Sequence, residues 1–170
     1  HHAVAAIRPS GYHLLHGITG SGKTRVYVEL AKQTIAAAKS CIILTPEIGL
    51  TAQLTNTFTA SFPGKVYVLH SRMTAAERRD VWYRLLTQNH PVIVIGPRSA
   101  LFAPVHNLGL IVIDESHDQA YKNENAPHYR ADMVAAQLAS LNHALFISGS
   151  ATPTIETYYV THAKKKPIIT

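Results

Sequence analysis

Cysteine is almost missing from this 170-residue chain, which holds only Cys41. One thiol can neither close an internal disulfide nor build a cysteine zinc cage, so the fold has to stand on its core, and Cys41 itself reads as part of that core. Long apolar runs are missing as well. None approaches the roughly 20 residues of a membrane-crossing helix, and the opening His1-His2-Ala3-Val4, native or tag remnant, lacks the basic-then-apolar order of a signal peptide. These absences exclude a disulfide scaffold and a helical membrane protein, and they set the expectation of a cytoplasmic chain. Charge is sparse, at 15% of residues, and acidic groups are the scarcer kind: 10 against 16 basic, a formal net charge of +6. That surplus suits a polyanionic partner. The 11 histidines are scattered rather than set at metal-ligand spacing.

What is present is apolar: 46% of the residues, in a chain long enough for one domain with a real core. Short runs at Tyr12 to His16, Cys41 to Thr45, Val66 to Leu69, Val92 to Ile95, Leu110 to Ile113 and Leu145 to Ser148 lack polar alternation, as strands covered on both faces do. Helical patterns separate them. From Gly22 to Lys39 the less polar Tyr27, Leu30, Ala31, Thr34, Ile35 and Ala38 recur at three and four. Thr74-Ala75-Ala76-Glu77 is a capping box, opening a helix with Val81, Trp82, Leu85 and Leu86 on one stripe. A third helix is expected from about Asp132 to Leu141, with Val134, Leu138 and Leu141 inward. Strand and helix in alternation predict a single α/β domain over 1–170, a mainly parallel sheet with helices on both faces. The stretch from Glu115 to Arg130 has no clear period and is long for a plain connection, which marks it as a functional loop.

Gly17-Ile18-Thr19-Gly20-Ser21-Gly22-Lys23-Thr24 fits the phosphate-binding loop pattern at every fixed position. Glycines let the backbone wrap a polyphosphate with its N–H groups inward. Gly17, Thr19, Gly20, Ser21, Gly22, Lys23 and Thr24 are therefore the nucleotide contacts, with Lys23 reaching the β and γ phosphates and the Thr24 hydroxyl reaching Mg²⁺. An empty glycine turn would account for the glycines but not for Lys23 and Thr24. The second half of the site is the apolar strand Ile111-Val112-Ile113 ending in Asp114-Glu115. Ligands of open parallel sheets bind beyond the carboxyl ends of strands, so Asp114 is placed to hold Mg²⁺ and Glu115 to orient or deprotonate water. ATP and Mg²⁺ are the expected cofactors of this RecA-like P-loop NTPase domain.

Asp114-Glu115-Ser116-His117 followed by Ser150-Ala151-Thr152 resembles motifs II and III of superfamily 2 helicases. Thr45-Pro46-Glu47-Ile48-Gly49-Leu50-Thr51 and Gly96-Pro97-Arg98-Ser99-Ala100-Leu101-Phe102 are similar to motifs Ia and Ib in the form found in the PriA family of replication-restart helicases, and, Val28 to Ala31 aside, the likeness runs from the P-loop to Glu156. The resemblance implies the first motor lobe of an ATP-dependent 3′-to-5′ DNA helicase, with a second lobe and DNA-binding domains outside 1–170. It implies that His117 joins the catalytic set with Lys23, Asp114 and Glu115, and that Ser150 and Thr152 couple the γ phosphate to movement between lobes. It also implies as partners single-stranded and forked DNA, single-stranded DNA-binding protein and other primosome proteins, and the second helicase lobe. DNA contacts are expected from Glu47, Gln53, His70, Arg72, Arg98, Ser99, Tyr121, Tyr129 and Arg130. The last three lie in a loop of aromatics interleaved with basic groups, similar to one that couples DNA binding to hydrolysis in PriA- and RecQ-type helicases; it either stacks bases or is pinned to the core by its tyrosines. The loop departs from the PriA pattern at Pro127 and Asp132, as motif II does at Ser116. Alternative readings are a nucleotide- or DNA-binding module without activity of its own, a RecG-like or RecQ-like motor, and a P-loop kinase or transporter ATPase.

Overall fold

The computed structural model describes residues 4, 7–8, 10–18, 20–46, 48–155, 159, 161, 163 and 167–169, with 48–51 described in backbone only. In chain order the elements are β1 (Gly11–His16), α1 (Lys23–Ala36), β2 (Ser40–Leu44), α2 (Ile48–Ser61), β3 (Val66–Val68), α3 (Ala75–Thr87), β4 (Ile93–Gly96), a 3₁₀ turn (Arg98–Phe102), β5 (Leu108–Ile113), a second 3₁₀ turn (Gln119–Tyr121), β6 (Lys122–Asn123), β7 (Tyr129–Arg130), α4 (Ala131–Leu141), β8 (Leu145–Ser150) and β9 (Ile168–Ile169). Seven strands form one sheet in the order β3-β4-β2-β5-β8-β1-β9, parallel at every junction. β6 and β7 form a separate two-stranded antiparallel ribbon inside the aperiodic loop.

The absence of polar alternation in the strands has its reason in the two layers that cover them. Cys41, Ile43, Ile93, Ile95, Leu110 and Val112 pack with Tyr27, Leu30 and Ala31 of α1 and with Leu54 and Phe58 of α2. The alternate residues Ile42, Leu44, Val94, Ile111 and Ile113 pack with Leu85 of α3 and Ala131, Ala135 and Ala139 of α4. Helices therefore lie on both faces of a parallel sheet, as the strand and helix alternation requires. Cys41 is fully buried, and burial pushes its thiol up to about 12, which leaves it a packing residue.

Helix details differ from the periodic reading. α1 stops at Ala36, because Ala38 turns into the left-handed region at φ 56°. Leu86 and Leu141 face outward, at 58% and 68% exposure. On α4 the stripe against the sheet is alanine at every fourth residue, whose small side chains let the helix approach closely, and this leaves Val134 and Leu138 at the margin. The capping box of α3 forms as expected: Thr74 Oγ1 accepts from the Glu77 N–H, and Glu77 Oε2 accepts from the Thr74 N–H at 2.8 Å. Those bonds from Thr74 hold the Glu77 carboxyl below its usual range.

Parallel strands bring all their carboxyl ends to one edge. The segments after β1 (Gly17 onward), β2 (Thr45), β4 (Pro97), β5 (Asp114) and β8 (Ala151) therefore share that edge. No described helix is long and apolar enough to cross a membrane.

Candidate nucleotide site and the adjoining loop

β1 delivers the chain to Gly17, whose N–H donates to the carbonyl of Ser150 at the end of β8 (3.1 Å), and the Ser21 N–H donates to the Ile18 carbonyl (3.0 Å) to close the loop. Gly22 caps α1 at φ 91° and Gly20 lies at φ 82°, a conformation glycine takes without strain. At Gly17 the constraint is crowding instead: a Cβ would lie 2.6 Å from Ser21 Oγ. Lys23 is buried at the start of α1, where its Nζ donates to the carbonyls of Gly17 (2.8 Å) and Ile18 (3.4 Å) and pairs with Glu115 Oε1 at 3.3 Å. Thr24 follows, half-buried, and Thr19 lies outside the described residues.

Asp114 leaves β5 with its N–H donating to the Leu44 carbonyl (2.9 Å) and its own carbonyl accepting from the Tyr121 hydroxyl (2.6 Å). Its Oδ1 accepts from the Tyr27 hydroxyl at 3.0 Å. Burial raises the Asp114 carboxyl above its ordinary range, against the pull of the Tyr27 bond and of Lys23, and burial together with Asp114 raises the phenols of both tyrosines. Glu115 adopts φ 45°, a strained backbone for a residue with a side chain and one characteristic of functional sites. Its carboxylate lies between Lys23 and His117 Nδ1, 3.6 Å away. His117 Nδ1 is 2.9 Å from Ser150 Oγ, which also accepts from the Thr152 N–H at 3.1 Å. The sequence-selected groups Lys23, Glu115, His117, Ser150 and Thr152 thus form one connected chain beside Asp114.

This donor set fits a magnesium nucleotide. Lys23 supplies a cation, and the Thr24 hydroxyl and the Asp114 carboxylate are hard oxygen donors. Among the described residues no group of three or more His, Cys, Asp or Glu could hold a metal ion by itself. Sequence reasoning missed two participants, Tyr27 and Gly149. The helical stripe places Tyr27 only among the less polar residues of one face, and the available signal for Gly149 is a glycine inside a strand, which marks close backbone approach.

The DNA candidates are less uniform. Gln53 and Arg72 are exposed, His70 and Ser99 half-buried, and Glu47 lies outside the described residues. Arg98 Nη1 donates to the carbonyls of Ala120 (2.7 Å) and Lys122 (2.8 Å), and Nη2 donates to Asn123 Oδ1 (3.0 Å). Three of its five donors therefore hold the aromatic loop. Tyr121 is 5% exposed and its hydroxyl donates to the Asp114 carbonyl, a contact that pins this part of the loop to the core. Tyr129 meets Phe102 edge-on at 5.5 Å between centroids, and Phe102 is 49% exposed. Arg130 forms a forked pair with Asp132 at 2.8 and 3.1 Å.

Comparison with known proteins settles the family. The DEAD/DEAH box helicase family matches residues 2–159. The chain belongs to that family. Relatives of this helicase domain include the replication restart protein PriA of Synechocystis, 47% identical over 155 residues, and those of Bacillus subtilis, 45% over 145, and Chlamydia pneumoniae, 47% over 147. These alignments cover 89%, 85% and 86% of the chain but only 18%, 18% and 20% of the relatives' length. Among solved structures, the helicase domain resembles the Pyrococcus furiosus Hef helicase domain, with TM-score 0.69 at 21% identity over 98% of the chain and 35% of that structure. It also resembles RecG bound to a three-way DNA junction, with TM-score 0.65 at 21% identity over 99% of the chain and 22% of that structure. At such identities the likeness shows the fold, a RecA-like α/β domain.

Proposed function

We propose that the chain is the ATP-binding first motor lobe of a PriA-like 3′-to-5′ DNA helicase acting in replication restart. The observation that carries this is the meeting of Lys23 with Glu115 at 3.3 Å, beside Asp114 and linked through His117 to Ser150, all at the carboxyl edge of the sheet. Lys23 binds the β and γ phosphates. Thr24 and Asp114 would hold Mg²⁺, which when bound would neutralise charge on the transferring phosphoryl group. Glu115 orients the attacking water and takes its proton, and His117 and Ser150 report the state of that site to the segment after β8. Productive hydrolysis draws on a second lobe of the kind superfamily 2 helicases carry, so the chain alone binds nucleotide weakly and turns it over slowly. Its partners are single-stranded and forked DNA and, by likeness to its PriA relatives, primosome proteins.

Glu115→Gln tests the chemistry. Under single-turnover conditions with the chain in excess over ATP, phosphate release should fall about 10²–10⁴-fold, the usual contribution of general base catalysis. Nucleotide should bind the variant at least as tightly, because the carboxylate that pairs with Lys23 is neutralised. Release at the unmodified rate would remove Glu115 from the reaction.

The DNA edge is tested by Arg98→Ala. Single-stranded DNA affinity should drop, and its logarithmic salt dependence should flatten by about 0.7, one phosphate's worth for a single strand. An unchanged slope would assign Arg98 to holding the loop alone.

A further inference from the structure

We propose that Tyr27 is a positioning residue for the Asp114 carboxylate, a role that rests on the magnesium-nucleotide reading of the site. Tyr27 lies one helical turn beyond Lys23 on α1, so it shares the face that Lys23 turns to the sheet edge. Its side chain is 0% exposed. As core filling, phenylalanine would serve equally well and would bring no hydroxyl that needs a partner. The hydroxyl instead donates to Asp114 Oδ1 at 3.0 Å, and a bond to a carboxylate is stronger than one to a neutral acceptor.

The neighbouring strand is built around that hydroxyl. Gly149 lies in β8, between β5 and β1 in the interior of the sheet, where glycine weakens a strand. A Cβ there would collide with the Tyr27 hydroxyl and lie 3.0 Å from the ring carbon that bears it. Gly149 also accepts the Ser116 N–H at 2.8 Å, and Ser150, the hydroxyl partner of His117, follows it. Three segments therefore meet at one phenol: the helix after the P-loop, the acidic end of β5 and the strand leading to Ser150. The Asp114 main chain is held independently, by Leu44 and by Tyr121, so the Tyr27 bond governs the carboxylate and not the backbone that carries it. Fixing Oδ1 sets the rotation of the carboxylate, and with it the direction of its other oxygen.

The test is titration of the 170-residue chain with a β,γ-imido ATP analogue, with Mg²⁺ and then with EDTA, together with thermal melting to confirm the fold. Tyr27→Phe should leave metal-free affinity within about twofold and reduce the gain from Mg²⁺ about tenfold, the effect of one hydrogen bond to a charged group. Gly149→Ala keeps the hydroxyl but displaces it and should lose the same gain. The Tyr27→Phe/Gly149→Ala pair should be no worse than Gly149→Ala alone, since the crowded atom is gone. A Mg²⁺ gain that survives Tyr27→Phe overturns the inference, as does an equal loss with and without metal, which is the mark of a merely structural role. An unmodified chain that shows no Mg²⁺ gain overturns the site reading and this inference with it.

Discussion

Lys23→Ala should reduce affinity for Mg²⁺-nucleotide at least a hundredfold while leaving the chain folded. Lys23 has its side chain held inside the loop by two of the loop's carbonyls, with Nζ at 2.8 Å from Gly17 O and 3.3 Å from Glu115 Oε1. In the proposed site, phosphate oxygens would take the place of that carboxylate on Lys23. Hydrogen bonds to charged groups contribute about 1.5–3 kcal/mol each, so two lost contacts amount to at least about 3 kcal/mol, or two decades in affinity. The substitution also leaves Glu115 without its cation and two carbonyls without a donor. Because Glu115 remains partly exposed to water, the stability loss should be about 1–2 kcal/mol, a melting shift of roughly 2–8 °C for a chain of this length. Calorimetric titration alongside thermal melting separates the two. Unchanged affinity would remove Lys23 from the site, and loss of the folded state would make it a structural residue.

The largest stability effect is expected at Phe146→Ala. Phe146 is 2% exposed in β8, within the core layer beneath α4, and meets Tyr12 of β1 edge-on at 5.2 Å. Removing a buried phenyl ring costs about 3–5 kcal/mol in transfer and cavity terms, a large part of the 5–15 kcal/mol that typically holds a domain together. Melting should fall by about 6–20 °C. The site should fail with it, because β8 continues from Phe146 to Gly149 and Ser150, which touch Tyr27, Gly17 and His117. A shift below about 2 °C would mean that this part of the core is not what holds the two site-bearing strands side by side.

How far the sequence could be read depended on whether a signal was local. Each long strand has its own apolar run, and covering layers on both faces explain why none alternates. The P-loop and the acidic end of β5 are contiguous motifs, so most of the candidate nucleotide site is visible residue by residue. α2 was not. Its run Thr51-Ala52-Gln53-Leu54-Thr55-Asn56-Thr57-Phe58 buries only Leu54 and Phe58 among the side chains described there, and its threonines carry little helical signal. β9 has two residues, too few for any period, and is recruited by pairing with Leu14 and Leu15. Contacts across long sequence separations were invisible in principle: Tyr27 with Asp114, and Arg98 with Ala120 and Lys122, follow from strand order, which periodicity does not encode. The same holds for Tyr121, whose hydroxyl bond to the Asp114 carbonyl no local pattern signals.

The most direct test of the shared site is crystallographic. Crystals of the chain grown with ADP and Mn²⁺ should give a single strong anomalous peak between the Thr24 hydroxyl and the Asp114 carboxylate, with the β phosphate within reach of Lys23. A manganese peak elsewhere, or a nucleotide bound away from the loop that begins at Gly17, would contradict the account.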